Sequence, residues 1–195
     1  MRVLIGLVGP PLAGKETVAE FIAHIASEKG LAFGHHRSRG ILEATLKLWH
    51  KEVNRPNMQK LLRVMEAPGA FGEGSLSGAI RQRLAGNEAD IVIYDAVRLP
   101  SDETMMRDLD GLILAITADE KTRYNRAKQR RREGEAELTI EQFQVEDTAS
   151  TEIHIPNIAS RADWTIDNNG NADDLRLEVK KFWIEKIDPL LTARK

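Results

Sequence analysis

The sequence contains no cysteine. Disulfide staples, thiolate metal ligands and a cysteine nucleophile are therefore excluded, and a reducing compartment is the simplest expectation. Aromatic residues are scarce, 5% of 195, so any core must rest mainly on aliphatic side chains. Neither sign of charge dominates. Lys and Arg number 28 against 30 Asp and Glu, a formal net charge of −2, so the chain has none of the overall basic field that nucleic-acid binders show. Long apolar runs are missing as well: no segment approaches the ~20 residues that cross a bilayer. Met1 to Val8 has neither the length nor the cleavage pattern of a secretory signal. The expectation is a cytoplasmic protein with no membrane and no nucleic-acid partner, a monomer or a homodimer. No repeat, low-complexity tract or composition break divides the chain. Residues 1–195 read as one domain, and 42% hydrophobic residues suffice for a core at this length.

What is present is an alternation of short apolar runs with helical patterns. Val3 to Val8, Ile91 to Tyr94, Leu112 to Ile116 and Trp164 to Ile166 are nearly continuous, as strands buried on both faces of a parallel sheet should be. Leu31 to Phe33 is a weaker fifth candidate. Between them, Val18, Phe21, Ile22 and Ile25 mark a helix face that Gly30 ends. Ile41, Leu42, Thr45, Leu46 and Trp49 mark a second. Pro56 suits a first helical turn ahead of Met58, Leu61, Leu62 and Met65. Leu76, Ala79, Ile80 and Leu84 form another stripe, and Leu175, Val179, Phe182 and Ile187 the last. Strand alternating with helix predicts an α/β domain with right-handed crossovers. Trp49, Trp164 and Trp183 read as core or helix-face residues.

The densest chemical signal is Gly9-Pro10-Pro11-Leu12-Ala13-Gly14-Lys15-Glu16-Thr17. Two glycines bracket a four-residue spacer, lysine follows, and the whole stands between a strand and a helix. Small residues let backbone N–H groups converge on phosphate oxygens. The helix N-terminus adds partial positive charge, and Lys15 reaches the β- and γ-phosphates. The residue after such a lysine is commonly Ser or Thr, whose hydroxyl binds Mg²⁺. Here it is Glu16, with the hydroxyl one step later at Thr17. Glu16 either holds Mg²⁺, directly or through water, or simply complements the helix N-terminus.

A second signal is Asp95 at the tip of the Ile91–Tyr94 run, with Arg98 three residues on. The carboxyl edge of an open α/β sheet is where ligands sit. Asp95 there can order Mg²⁺ or an attacking oxygen, and Arg98 can clamp an acceptor phosphate. The plainer alternative is a structural Asp95–Arg98 ion pair. Arg123, Arg126 and Arg130 share a helix face by spacing, with Arg131 and Arg132 beside them. They form either a phosphate-facing cluster or a solvated charged face balanced by Glu133, Glu135 and Glu137.

Residues 9–17 resemble the phosphate loop of adenylate kinases. Residues 14–21 are similar to deoxynucleoside monophosphate kinases of the phage type, and the pattern Asp95-x-Val97-Arg98-x-Pro100-x-x-Glu103 is similar to deoxynucleoside monophosphate kinases and to small archaeal kinase-like proteins related to adenylate kinase. The resemblance implies a three-layer P-loop kinase-type sandwich, a mostly or fully parallel five-stranded sheet, and a small arginine-rich helical lid over 120–150. It implies ATP and Mg²⁺ as cofactors, and a nucleoside triphosphate and a small phosphate-bearing acceptor as partners. The acceptor side would be 33–87, where Arg37, Arg39, Arg55, Arg63, Arg81 and Arg83 supply charge and Gly72, in Phe71 to Gly74, a close backbone approach. Gly9, Pro10, Leu12, Ala13, Gly14, Lys15, Glu16, Thr17, Arg126 and the turn at Asn169 would hold the nucleotide. Lys15, Asp95, Arg126 and Arg130 would act on the transferring group, and Glu16, Thr17 and Asp95 would neighbour the metal. Asp147 would tie lid to core. The resembling families often carry an acid near Arg39-Gly40, and this chain has none there. That departure leaves a regulatory nucleotide-binding module, or a kinase of another small acceptor such as a coenzyme precursor, as alternatives to a (deoxy)nucleoside monophosphate kinase. His35 and His36 read as structural or surface residues, since no metal-ligand spacing includes them.

Overall fold

The apolar runs pair side by side in the computed structural model, which describes residues 2–67, 71, 74–130, 138–147 and 153–193, with the side chains of 55, 146 and 147 outside that description. The strands are β1 (Val3–Val8), β2 (Phe33–His36), β3 (Ile91–Tyr94), β4 (Leu112–Thr117) and β5 (Trp164–Asp167). They form one sheet in the order β2-β3-β1-β4-β5, and every pair is parallel. Ten α-helical segments are described: α1 (Lys15–Glu28), α2 (Ser38–Leu48), α3 (Arg55–Glu66), α4 (Ser75–Ala85), α5 (Pro100–Asp108), α6 (Glu120–Gln129), α7 (Ile140–Asp147), α8 (Ile155–Ala159), α9 (Ala172–Phe182) and α10 (Asp188–Thr192). A π-helical turn, Trp183–Ile187, joins the last two.

Because successive strand residues point to opposite faces, β1 feeds two cores. Val3, Ile5 and Leu7 pack with Val18 and Ile22 of α1 and Val179 and Phe182 of α9. Leu4 and Val8 pack on the other face with Ile80 of α4, Met105 and Met106 of α5 and Ile158 of α8. The result is the three-layer α/β sandwich that the alternation predicts. Each fully buried aliphatic side chain contributes about 1.5–3 kcal/mol, which compensates for the scarcity of aromatic rings. A third cluster, Leu42, Leu46, Leu61 and Leu76, belongs to α2, α3 and α4 alone. The acceptor-side segment thus carries a small core of its own.

Local chemistry sets the helix ends. Asn54 Oδ1 accepts the Asn57 N–H at 2.9 Å, and Pro56 stands in the first turn of α3. Asn171 Oδ1 caps α9 by accepting from Asp173 and Asp174, while the Asp174 carboxylate accepts the Asn171 N–H. Gly30, at φ 68°, closes α1.

Several expectations shift. The fifth strand lies at Phe33–His36 rather than 31–33, and takes in both histidines. It runs beside β3 from Phe33↔Ile91 to His36↔Tyr94, and Ala32 is held just outside it by the Asp90 carboxylate at 2.8 Å. Helices α5 and α8 were not anticipated. Trp183 is buried, but Trp49, just past α2, is 53% exposed because the chain turns away there through His50 at φ 52°. Among the described residues no helix is long and apolar enough to cross a membrane.

Candidate nucleotide and acceptor site

Parallel pairing brings the carboxyl ends of the strands to one edge. Gly9 follows β1, Arg37 follows β2, Asp95 follows β3 and Asn168 follows β5. A cavity of about 610 Å³ opens there. Its floor includes Gly14, Lys15 and Glu16, its rim Arg37, Arg39, Arg98 and Arg130, and its far wall is apolar, made by Leu42, Met58, Leu62 and Leu76.

The loop from Gly9 to Gly14 is fixed by contacts that permit no side chain at its glycines. A Cβ on Gly9 would lie 2.2 Å from the Ile116 carbonyl oxygen, and one on Gly14 would lie 2.2 Å from Asn168 Nδ2. Gly14 also sits at φ 101°, a conformation that costs any residue with a Cβ. Lys15 Nζ folds over the loop and donates to the carbonyls of Gly9 (2.7 Å) and Pro10 (3.0 Å). The first bond of α1 runs from Val18 N–H to Gly14 O at 3.0 Å. Helix geometry directs the amides ahead of it out of the N-terminus, toward the cavity floor. Backbone donors, a helix N-terminus and an ammonium in one glycine-bracketed concavity suit a polyphosphate.

The loop is clipped from behind by two side chains. Buried Asn168 donates from Nδ2 to Ala13 O at 2.7 Å. Arg126 of α6 donates to Leu12 O (3.1 Å), Ala13 O (3.4 Å) and Asn168 O (2.8 Å). Burial, and then the charge of Arg130, lower the Arg126 pKa from its ordinary value. Asn169 braces the turn with its side chain. Its Oδ1 accepts the Asp119 N–H at 2.8 Å, which locks the turn, while its neighbour Asn168 reaches the loop. Arg123 is buried, donates to Ala118 O at 3.1 Å and lies over the Phe143 ring at 5.5 Å. It is structural, whereas Arg126 holds the loop from behind and Arg130 lines the cavity.

On the acceptor side Asp95 is nearly buried, and its Oδ2 lies 3.5 Å from His35 Nε2 and 3.7 Å from Arg37 Nε. Arg37 also donates to Glu16 Oε1 at 2.8 Å. Asp95 therefore has the Arg37 guanidinium as its ion-pair partner, with the His35 ring beside it. Burial, then Arg83 and its neighbours, lower the His36 pKa, which favours the neutral ring, and its Nε2 sits 2.7 Å from Asn87 Nδ2. Arg39 pairs with Glu43 along α2. Arg63, Arg81 and Arg83 are exposed and do not line the cavity; Arg81 pairs with Asp108 instead. Gly72 and residues 131–137 lie outside the described residues, as do the side chains of Arg55 and Asp147.

Asp102 escaped the sequence reading. It is 3% exposed and accepts from Ser77 Oγ (2.6 Å), Tyr94 OH (3.1 Å), Arg98 N (3.0 Å) and Leu99 N (3.0 Å). It thereby ties α4 and β3 to the segment that carries Arg98. Burial raises its pKa against the pull of those donors, and burial with Asp102 beside it raises that of Tyr94, keeping the phenol a donor. The signal for α5 was present in Pro100 followed by Asp102 and Glu103, a helix-start pattern.

Among the described residues no group of three or more His, Asp or Glu side chains could hold a metal ion. A divalent ion here would take most of its oxygen ligands from nucleotide and water, the usual habit of Mg²⁺. Glu16 and Asp95 place carboxylate oxygens in the cavity, and Thr17 follows Glu16 in the first turn of α1.

An all-parallel sheet flanked by helices, with a glycine-bracketed phosphate loop after β1, defines the P-loop kinase fold. The solved shikimate kinase from Bacteroides thetaiotaomicron is similar across 93% of this chain and 97% of its own, with a TM-score of 0.57 and 14% identity. In sequence, the chain is similar to a UPF0200 protein of Hyperthermus butylicus, 23% identical over 182 residues and covering 93% of each. It is 26% identical over 192 residues to a UPF0200/UPF0201 protein of Archaeoglobus fulgidus, spanning 93% of this chain but 55% of that one. No family model matches the chain.

Proposed function

We propose that the protein is an ATP-dependent phosphotransferase that moves the γ-phosphoryl group of a purine nucleoside triphosphate to a (deoxy)nucleoside monophosphate. The observation that carries this reading is one cavity holding the phosphate loop, four arginines and an apolar wall. A nucleotide acceptor has just those parts, an anionic end and a flat apolar base.

In this reading Lys15 and the amides from Gly9 to Thr17 hold the β- and γ-phosphates, with Pro10, Leu12 and Ala13 shaping the loop. Arg126 and the turn at Asn168 and Asn169 flank the purine. Arg37, Arg39 and Arg98 meet the acceptor phosphate, and Arg130 steadies the transferring group. An acceptor phosphate oxygen attacks the γ-phosphorus in line as the bond to the β,γ-bridging oxygen breaks, and the diphosphate leaves with that electron pair. Positioning and charge stabilisation supply the rate, and no covalent protein intermediate is involved. Bound Mg²⁺, beside Thr17 and Glu16 or Asp95, would neutralise charge on the phosphate oxygens.

The test is ADP formation with Mg²⁺–ATP across the ribo- and deoxyribonucleoside monophosphates. Acceptor-dependent turnover is expected; its absence for every nucleotide, beside tight ATP binding, contradicts the reading. One observation favours the alternative of a regulatory module: Glu16 is already paired with Arg37. A kinase of another small acceptor, such as a coenzyme precursor, shares the donor chemistry and is separated by extending the acceptor panel.

A further inference from the structure

We infer that Arg37 is a placeholder cation: it occupies the carboxylates that a nucleotide-bound divalent ion would claim, and on release turns to the acceptor phosphate. The inference rests on the proposed phosphotransfer and names the residue that links its two substrates.

The geometry behind it is a bridge between separate elements. Glu16 lies in the first turn of α1, and Asp95 lies at the end of β3. The Arg37 guanidinium stands between them, 2.8 Å from Glu16 Oε1 by Nη2 and 3.7 Å from Asp95 Oδ2 by Nε. All three residues and Lys15 line the same cavity. One guanidinium thus faces a carboxylate in the first turn of α1 and another at the end of β3. A divalent ion arriving with the nucleotide brings twice that charge to the same oxygens, and two cations cannot share them without repulsion.

Release is cheap on the arginine's side. The side chains of Arg37 and Glu16 are 45% and 50% exposed, so their pair is of the solvated kind that holds weakly. Asp95, 10% exposed, keeps His35 at 3.5 Å when Arg37 departs. Once free, the guanidinium has an anion within its own cavity to turn to, because its planar fork matches phosphate. Metal–nucleotide binding therefore strengthens acceptor binding, and linkage requires the reverse to the same degree.

The experiment uses Mn²⁺ with the non-hydrolysable analogue AMP-PNP, read by electron paramagnetic resonance, and inorganic phosphate as the acceptor-phosphate probe. For the native chain, saturating phosphate should tighten Mn²⁺–AMP-PNP binding by about fivefold or more, the lower range for coupled sites. For Arg37→Met, binding without phosphate should be unchanged or up to about fivefold tighter, and the phosphate effect should vanish. Arg37→Lys keeps a charge without the fork and should retain part of the coupling. Weaker Mn²⁺–AMP-PNP binding by Arg37→Met would make Arg37 a strut and overturn the inference. So would a native chain indifferent to phosphate, or coupling that survives in Arg37→Met. No binding of Mn²⁺–AMP-PNP by the native chain would instead overturn the phosphotransferase reading itself.

Discussion

Gly14 has a left-handed backbone and a neighbour, Asn168 Nδ2, 2.2 Å from where a Cβ would stand. Gly14→Ala must therefore distort the loop or expel Asn168, at about 1–3 kcal/mol for the backbone strain alone; thermal unfolding should show the loss, and nucleotide titration a weakened site. Lys15→Ala leaves the fold intact, because its bonds are to loop carbonyls at the surface of the site. It should weaken ATP binding by roughly 10–100-fold, the worth of about 1.5–3 kcal/mol for bonds from a charged donor. Asp102 offers a test by pH. Burial raises its pKa in the folded protein, so the folded state holds that proton more tightly than the unfolded chain, where an aspartate titrates near ~3.9. The stability this group adds is complete below that value and is lost as pH rises through the raised one. Asp102→Asn removes that dependence. Urea unfolding should show the variant at its worst relative to the native chain in acid and gaining on it as pH rises to neutrality.

At the scale of elements, α6 is tied to the phosphate loop by Arg126, whose fork joins the Leu12, Ala13 and Asn168 carbonyls. Arg126→Lys keeps the charge but not the fork. ATP affinity should fall about tenfold, the equivalent of one lost charged hydrogen bond, with little change in the chemical step once ATP saturates. The central strands were legible because β1, β3 and β4 are apolar on both faces and little else in the chain is. The phosphate loop was legible because its spacing, lysine and flanking elements coincide. Strand β2 was displaced in the reading because Gly34, His35 and His36 lack strand character; their pairing with Ile91 to Tyr94 is imposed by the neighbour. The Asp102 network and the Glu16–Arg37–Asp95 bridge were hidden for one reason. Ser77, Tyr94 and Asp102, or residues 16, 37 and 95, meet only after the sheet assembles, and local sequence carries no trace of that meeting.

For the molecule as a whole, two sheet cores and one satellite cluster imply unequal cohesion. The Leu42, Leu46, Leu61 and Leu76 cluster supports only the helices that wall the acceptor end. Leu61→Ala should cost about 2–5 kcal/mol of local packing. Hydrogen exchange should then quicken in α2 to α4 while β1, β3 and β4 stay protected, and acceptor KM should rise more than that for ATP. Everything functional, however, depends on the concavity after β1 accepting a polyphosphate. Isothermal calorimetry of the intact chain with Mg²⁺–ATP and Mg²⁺–GTP measures that directly. The account predicts one saturable site per chain for at least one of the two, weakened roughly 10–100-fold in Lys15→Ala. No heat of binding from either nucleotide, at any temperature where the chain is folded, would contradict it.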